Sequence, residues 1–147
     1  MSENLKIIEQ YISKEFTLYN GDSCEVLKGI PNESIHYSIF SPPFADLYVY
    51  SDSDRDLGNS RNRDDFYQHF KFIANELLRV LKSGRLVSIH CMDLPTSKMK
   101  DGFIGLVDFP GEIIRMFTEI GFIYHSRVTI WKDPVVAMQR TKALGLS

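Results

Sequence analysis

Apolar residues along the chain recur with two different periods, and the switches between them outline the elements. Leu5, Ile8 and Ile12 share one helical face of residues 3–14, with Ile7 and Tyr11 beside it, which predicts an N-terminal helix. The run 16–19 predicts a strand, Gly21-Asp22-Ser23 a turn, and residues 23–29 a short helix capped by Asp22 or Ser23 and stopped at Gly29 and Pro31. Residues 34–40 predict a second strand with Ile35, Tyr37 and Ile39 on one face. It stops at Ser41-Pro42-Pro43 because proline cannot donate to a ladder. From Asp64 or Asp65 to about Lys82, the spacing of Phe66, Phe70, Ile73, Leu77 and Leu81 predicts an amphipathic helix, with Gly84 as its stop. Residues 85–91 then predict a buried strand, 92–108 a loop, and 110–120 a helix opened by Pro110, lined by Ile113, Ile114, Phe117 and Ile120, and ended by Gly121. Residues 122–131 alternate like a long strand, and 134–144 predict a terminal helix.

Strands interleaved with amphipathic helices predict an α/β domain with a largely parallel sheet. With 147 residues, 44% of them hydrophobic and 24% charged, the chain suits one compact domain with its own core. Residues 51–65 are polar, mixed in charge and nearly free of apolar side chains, which predicts a mobile surface loop.

Charge and cysteine usage narrow the classes. The 17 basic and 19 acidic residues give a formal charge of -2, which excludes a uniformly cationic nucleic-acid coat but leaves room for local basic patches. No apolar run approaches a membrane span, and the N-terminus lacks a signal-peptide layout, so a cytoplasmic protein without membrane contact is expected. Cys24 and Cys91 fit neither a disulfide framework nor a metal-ligand pattern. No metal site is expected, and both thiols read as small core residues.

Ligands of open α/β sheets bind beyond the C-terminal ends of the strands. The most distinctive such end is Ser41-Pro42-Pro43-Phe44. Two prolines remove the amide donors and leave carbonyls to accept, Ser41 adds a hydroxyl, and Phe44 offers a stacking surface. A rigid platform of acceptors suits an amino group.

Here the sequence resembles the DNA amino-methyltransferases, whose motif is [D/N/S]-P-P-[Y/F/W]. The likeness runs over roughly 16–132, through LYNGDSCEVLKGIPNESIHYSIFSPPF, ELLRVLKSGRLVSIH and FPGEIIRMFTEIGFIYHSRVTIWK, in the family's order. The resemblance implies a partial Rossmann-like methyltransferase sheet with flanking helices, and S-adenosylmethionine as methyl donor. It implies DNA as substrate, in the setting of DNA methylation and restriction-modification. The target base would be flipped out, stacked on Phe44, and held by Ser41 and the Pro42 carbonyl. Acceptors around the amine favour the more tetrahedral nitrogen that attacks the sulfonium methyl. No covalent intermediate is needed, so neither cysteine is a nucleophile. Serine at the head of the motif resembles the cytosine-N4 branch more than the adenine-N6 branch. Asp22 resembles an acidic residue near the cofactor's adenine, with helix capping as its other reading, and Ser41 borders the same cofactor.

The family's glycine-rich F-x-G-x-G loop has no counterpart, since the nine glycines include no G-x-G pair. The resemblance therefore implies that residues 1–147 form an incomplete catalytic domain, the N-terminal part of a longer enzyme, truncated naturally or cut for study and inactive alone. The family strands that would lie between 16–19 and 35–40 are the missing ones. Their absence predicts an exposed edge and apolar face, hence local rearrangement or a homo-oligomer.

DNA contacts are one reading of Arg55, Arg61 and Arg63 in the polar loop, although Asp52, Asp54, Asp56, Asp64 and Asp65 balance them and favour a solvated surface for any single arginine. After Tyr124, the residues Arg127, Lys132, Arg140 and Lys142 face a single acid, Asp133, a clearer footprint for phosphates. Asp46, Tyr48 and Tyr50 could line the base pocket or simply pack the loop. His90 and Asp93 end a strand, where a satisfied histidine and a catalytic one are both open readings. A methyltransferase remnant that binds DNA or itself without turnover is the competing function. A flavodoxin-like nucleotide module lacks the phosphate-binding glycine loop it would need after the first strand.

Overall fold

The computed structural model describes residues 7–43 and 63–133. The elements are β1 (Ile7–Ile12), β2 (Thr17–Gly21), α1 (Ser23–Lys28), β3 (Ile35–Phe40), α2 (Arg63–Val80), β4 (Leu81–Ile89), β5 (Leu94–Pro95), α3 (Lys98–Asp101), β6 (Leu106–Val107) and α4 (Phe109–Ile120). The α/β class is as expected. The sheet is less parallel than expected. Among the described residues β3 and β4 form a parallel pair, while β1–β2 and β5–β6 are separate antiparallel pairs.

The N-terminal segment is a correction. Residues expected to be helical form β1, antiparallel to β2, with Ile12 opposite Thr17. Ile7, Ile8, Tyr11 and Ile12 are β-branched or aromatic and favour an extended backbone, and spacings of three and four do not exclude a strand. Ser13 fixes the turn. Its hydroxyl accepts from the amides of Glu15 (3.2 Å) and Phe16 (3.0 Å), and its own amide donates to the Phe16 carbonyl (2.9 Å).

The core lies between α2 and α4. Phe66, Phe70, Ala74 and Leu77 of α2 pack with Phe109, Ile113, Met116 and Phe117 of α4. The facing stripe of α2 passes through Ala74, which leaves Ile73 half-buried. On α4 it passes through Met116, which leaves Ile114 at the margin. Tyr67 donates to Glu112 across the two helices. Phe40, Val87 and Ile89 bring one face of the β3–β4 pair against this layer, and Phe40 meets Phe70 edge-on at 6.1 Å between ring centroids.

Helix α2 begins at Arg63, so residues 63–65 are helical instead of belonging to the polar loop; residues 51–62 lie outside the described residues. The helix runs into β4 with no connecting residue. Gly84 sits within β4 with a left-handed φ of 74°, in a bulge where the pairing jumps from Ile35–Leu81 to Tyr37–Leu86. The stop expected there is thus a strand irregularity. α4 is capped by Asp108, which accepts from the Gly111 amide (2.8 Å), and ends at Gly121, whose φ is 125°.

Two further expectations change. Loop 92–108 contains the short β5–β6 ladder and α3. Residues 122–131 have the alternation of a strand but no ladder, because a strand exists only where a partner edge receives it. The expected helix at 134–144 lies outside the described residues.

Among the described residues an edge and an apolar face are left open, as expected. β2 and β3 are not paired, and on β3 Tyr37 is 50% and Ile39 69% exposed, beside an exposed Leu86 on β4. No helix of the described residues is long and apolar enough to cross a membrane.

Arg79 ties α2 to the front of the domain. Its guanidinium donates to the carbonyls of Leu27 (2.7 Å) and Ile30 (2.9 Å), to Asn32 Oδ1 (2.6 Å) and to Glu76 (2.6 Å). It closes the end of α1 and holds the turn that leads into β3. Arg79→Ala is expected to lower unfolding stability by about 2 kcal/mol, read by urea denaturation. Arg79→Lys should recover less than half, since an ammonium cannot reproduce the planar fork.

A candidate base-binding site at the ends of the parallel strands

The parallel pair ends where the proline motif begins. Phe40 pairs with Ile89, and the His90 amide donates to the Phe40 carbonyl at 2.9 Å. The next rung of a parallel ladder would run from the amide of residue 42 to the His90 carbonyl. Residue 42 is proline and has no N–H, so that carbonyl loses its ladder donor. The Ser41 hydroxyl takes the place and donates to the His90 carbonyl at 2.9 Å.

This arrangement sets the polarity of the site. A serine hydroxyl has one proton and two lone pairs, and at Ser41 the proton is engaged, which leaves acceptor capacity on an exposed oxygen. Pro42 is buried and Pro43 half-buried, and neither has an amide proton. The strand end therefore offers oxygens that accept and no backbone N–H that donates at positions 42 and 43. Phe44, the fourth residue of the motif, lies outside the described residues.

At the end of β4, burial pushes the Cys91 thiol up from its ordinary pKa. The Arg127 guanidinium pulls it the other way, and Asp93 adds to the rise. The thiol is protonated at neutral pH. The same charge effects put Arg127 and Asp93 within electrostatic reach of the strand end. Among the described basic residues after Tyr124, Arg127 is the one whose charge reaches Cys91, two residues beyond β4. Sequence signalled it only as one member of a basic run. Lys132 is exposed on the segment that follows.

Tyr37 donates to the Ser88 hydroxyl at 2.7 Å on the open face of the pair, a contact between strands that sequence did not suggest. The His90 ring is exposed, and the part of this residue that the site uses is its peptide group. Asp22 caps α1: its Oδ1 accepts from the Cys24 amide at 2.8 Å. Arg63 is the first residue of α2. Arg55, Arg61, Arg140 and Lys142, like Asp46, Tyr48 and Tyr50, lie outside the described residues. Among the described residues, no group of three or more His, Cys, Asp or Glu side chains could hold a metal.

S-adenosylmethionine needs a cradle for its methionine part as well as a neighbour for its adenine. The sequence has no G-x-G pair, and the Asp22 oxygen that is placed already serves α1. These residues do not by themselves fit the whole cofactor. What they build is a strand end that presents acceptor oxygens.

No family model matches the chain. Over 79 residues it is 32% identical to the type II methyltransferase M.SfiI of Streptomyces fimbriatus, a stretch that is 54% of this chain and 18% of that protein. The chain thus spans under a fifth of the curated relative it matches. Among solved structures it resembles a candidate DNA modification methylase of Thermus thermophilus, with a TM-score of 0.54 and 21% identity over 70% of this chain and 37% of the other. The S-adenosyl-L-methionine complex of that methylase gives the same TM-score of 0.54, with 40% of its chain covered. Over most of its described length, the chain has the fold of this methylase, and over about half of its sequence it is similar to a type II methyltransferase.

Proposed function

We propose that the chain is a catalytic part of an S-adenosylmethionine-dependent DNA methyltransferase that acts on the exocyclic amine of a flipped base, cytosine N4 in preference to adenine N6. The observation that carries this reading is the acceptor-only strand end, with the Ser41 proton engaged by the His90 carbonyl and no amide on Pro42 or Pro43. The methylase fold and the similarity to a type II methyltransferase support it.

An exocyclic amine carries two protons to donate. Ser41 Oγ and the Pro42 carbonyl accept them, orient the nitrogen, and favour the geometry in which its lone pair is localised for attack. A bound S-adenosylmethionine would supply the electrophilic methyl. Phe44 stacks on the extruded base, Arg127 and Lys132 contact phosphates, and Arg55, Arg61, Arg63, Arg140 and Lys142 extend that contact. Asp22 and Ser41 would border a bound cofactor. The protein works in the cytoplasm.

The test is binding by fluorescence anisotropy to duplexes that differ at one unpaired position. Cytosine should bind about tenfold more tightly than uracil, which replaces the amine with a carbonyl. Equal affinity would overturn the reading. Incubation with methyl-labelled S-adenosylmethionine and analysis of the nucleosides then reads the product, N4-methylcytosine expected.

A second reading is favoured by the exposed Tyr37, Ile39 and Leu86 and the missing glycine loop: a remnant that binds DNA or assembles with itself without turnover. Selective binding of cytosine with no methylated product would favour it.

A further inference from the structure

The geometry points to the hairpin that follows β4, residues 94–107, as a DNA wedge: Met99 and Ile104 at its tip enter the gap that an extruded base leaves in the stack. The inference rests on the methyltransferase reading, which requires a base to leave its duplex. The build of the hairpin stands on its own.

Its root is fixed to the helix layer. Leu94 is part of the core and Val107 packs against it. Leu94 lies opposite Val107 and Pro95 opposite Leu106, and the Thr96 amide extends the ladder to the Gly105 carbonyl at 3.0 Å. The single turn of α3 closes the far end. Asp101 Oδ2 accepts from the Ser97 amide at 2.8 Å, the Asp101 amide donates to the Ser97 carbonyl at 2.8 Å, and the Gly102 amide donates to the Lys98 carbonyl at 3.1 Å. Gly102 then turns the chain back with a φ of 80°. A frame bonded in this way pays little ordering entropy when it binds.

The tip is apolar and projects from that frame. Met99 is 99% and Ile104 83% exposed, whereas Phe103 is 53% exposed. Two carbons of the Phe103 ring lie 3.5 Å from where a β-carbon on Gly105 would stand, so this ring rests on the hairpin and backs the two free side chains. Two observations select DNA as what receives them. The first is place. The His90 carbonyl that holds Ser41 stands four residues before Leu94, a span of at most about 14 Å, so the hairpin is rooted beyond the strand ends, beside the proposed base site. The exposed Tyr37, Ile39 and Leu86, by contrast, lie along the strands themselves. The second is charge. Residues 94–107 carry Lys98 and Lys100 against one acid, Asp101, whose carboxylate is engaged by the Ser97 amide. Apolar side chains that part a base step, with cations beside them for the phosphates, form the chemistry of an intercalating wedge.

The experiment titrates the 147-residue chain and its Met99→Ala/Ile104→Ala variant, by anisotropy, against a duplex with one unpaired cytosine, its uracil counterpart, and the cytosine strand alone. Both side chains are exposed, so the variant should keep the parent's urea midpoint. Its affinity for the cytosine duplex should fall about tenfold, and its affinity for the single strand by less than about twofold, because a single strand has no paired stack to enter. An equal loss on duplex and single strand, or no loss on either, overturns the proposal. With the parent's preference for cytosine over uracil intact, that result leaves the base reading standing. A variant that loses only self-association in sedimentation also overturns it and assigns the tip to a second copy of the chain. A duplex-selective loss in a parent that binds cytosine and uracil equally keeps the wedge and removes the amine reading, and a parent without duplex affinity overturns both.

Discussion

Ser41→Ala is expected to erase discrimination between an unpaired cytosine and an unpaired uracil, a loss of about tenfold in relative affinity, while the chain stays folded. The hydroxyl is exposed, so its removal leaves the His90 carbonyl open to water and costs little stability. The ligand loses more. The amine proton that Ser41 Oγ would accept loses its oriented acceptor, which the carbonyl of uracil never used. Anisotropy titrations of both duplexes against parent and variant read the ratio directly. A ratio unchanged by the substitution would remove Ser41 from base recognition.

Phe70→Ala is expected to have the largest effect on stability, about 3–5 kcal/mol. Phe70 is 1% exposed and joins three elements: its ring lies 5.4 Å from Phe66 on its own helix, 6.1 Å from Phe40 on β3 and 5.9 Å from Phe117 on α4. A cavity there cannot be closed by one neighbour without disturbing the others. Phe40 immediately precedes Ser41, so the loss should reach the site as well as the midpoint of unfolding. For a domain of this size the melting temperature should fall by about 10 °C. A loss below about 1 kcal/mol by urea denaturation would mean that the helix layer and the parallel pair are not packed through this ring.

The parts of the fold legible in the sequence are those whose pattern is local. Phe66, Phe70 and Leu77 recur over a long window and locate α2, and prolines mark the end of β3. Where one pattern fits two structures, locality fails. Ile8 and Ile12 suit a helical face, yet β-branching and the Ser13 turn make a hairpin. Alternation over 122–131 records a capacity to pair without the partner that would use it. Ala74 is too small to register in a hydrophobic pattern, although it lies at the centre of the stripe that meets α4.

The site divides in the same way. Its acceptor character can be read from two adjacent prolines, because the missing amides are a property of the residue type. The bond that makes Ser41 an acceptor spans 49 positions and requires knowing that Phe40 lies opposite Ile89. Arg127 stands out from its basic neighbours only when the end of β4 is located in space.

The bulge between Leu81 and Leu86 separates two kinds of sequence change in β4. Insertions or deletions near Gly84 can be taken up by slack backbone, and the far end of the strand keeps its alignment. The same change between Leu86 and Ile89 would slide every later residue by one step and rotate the oxygen that serves Ser41 out of reach. Length variation among natural versions of this domain should therefore collect beside α2 and be absent from the three residues before His90.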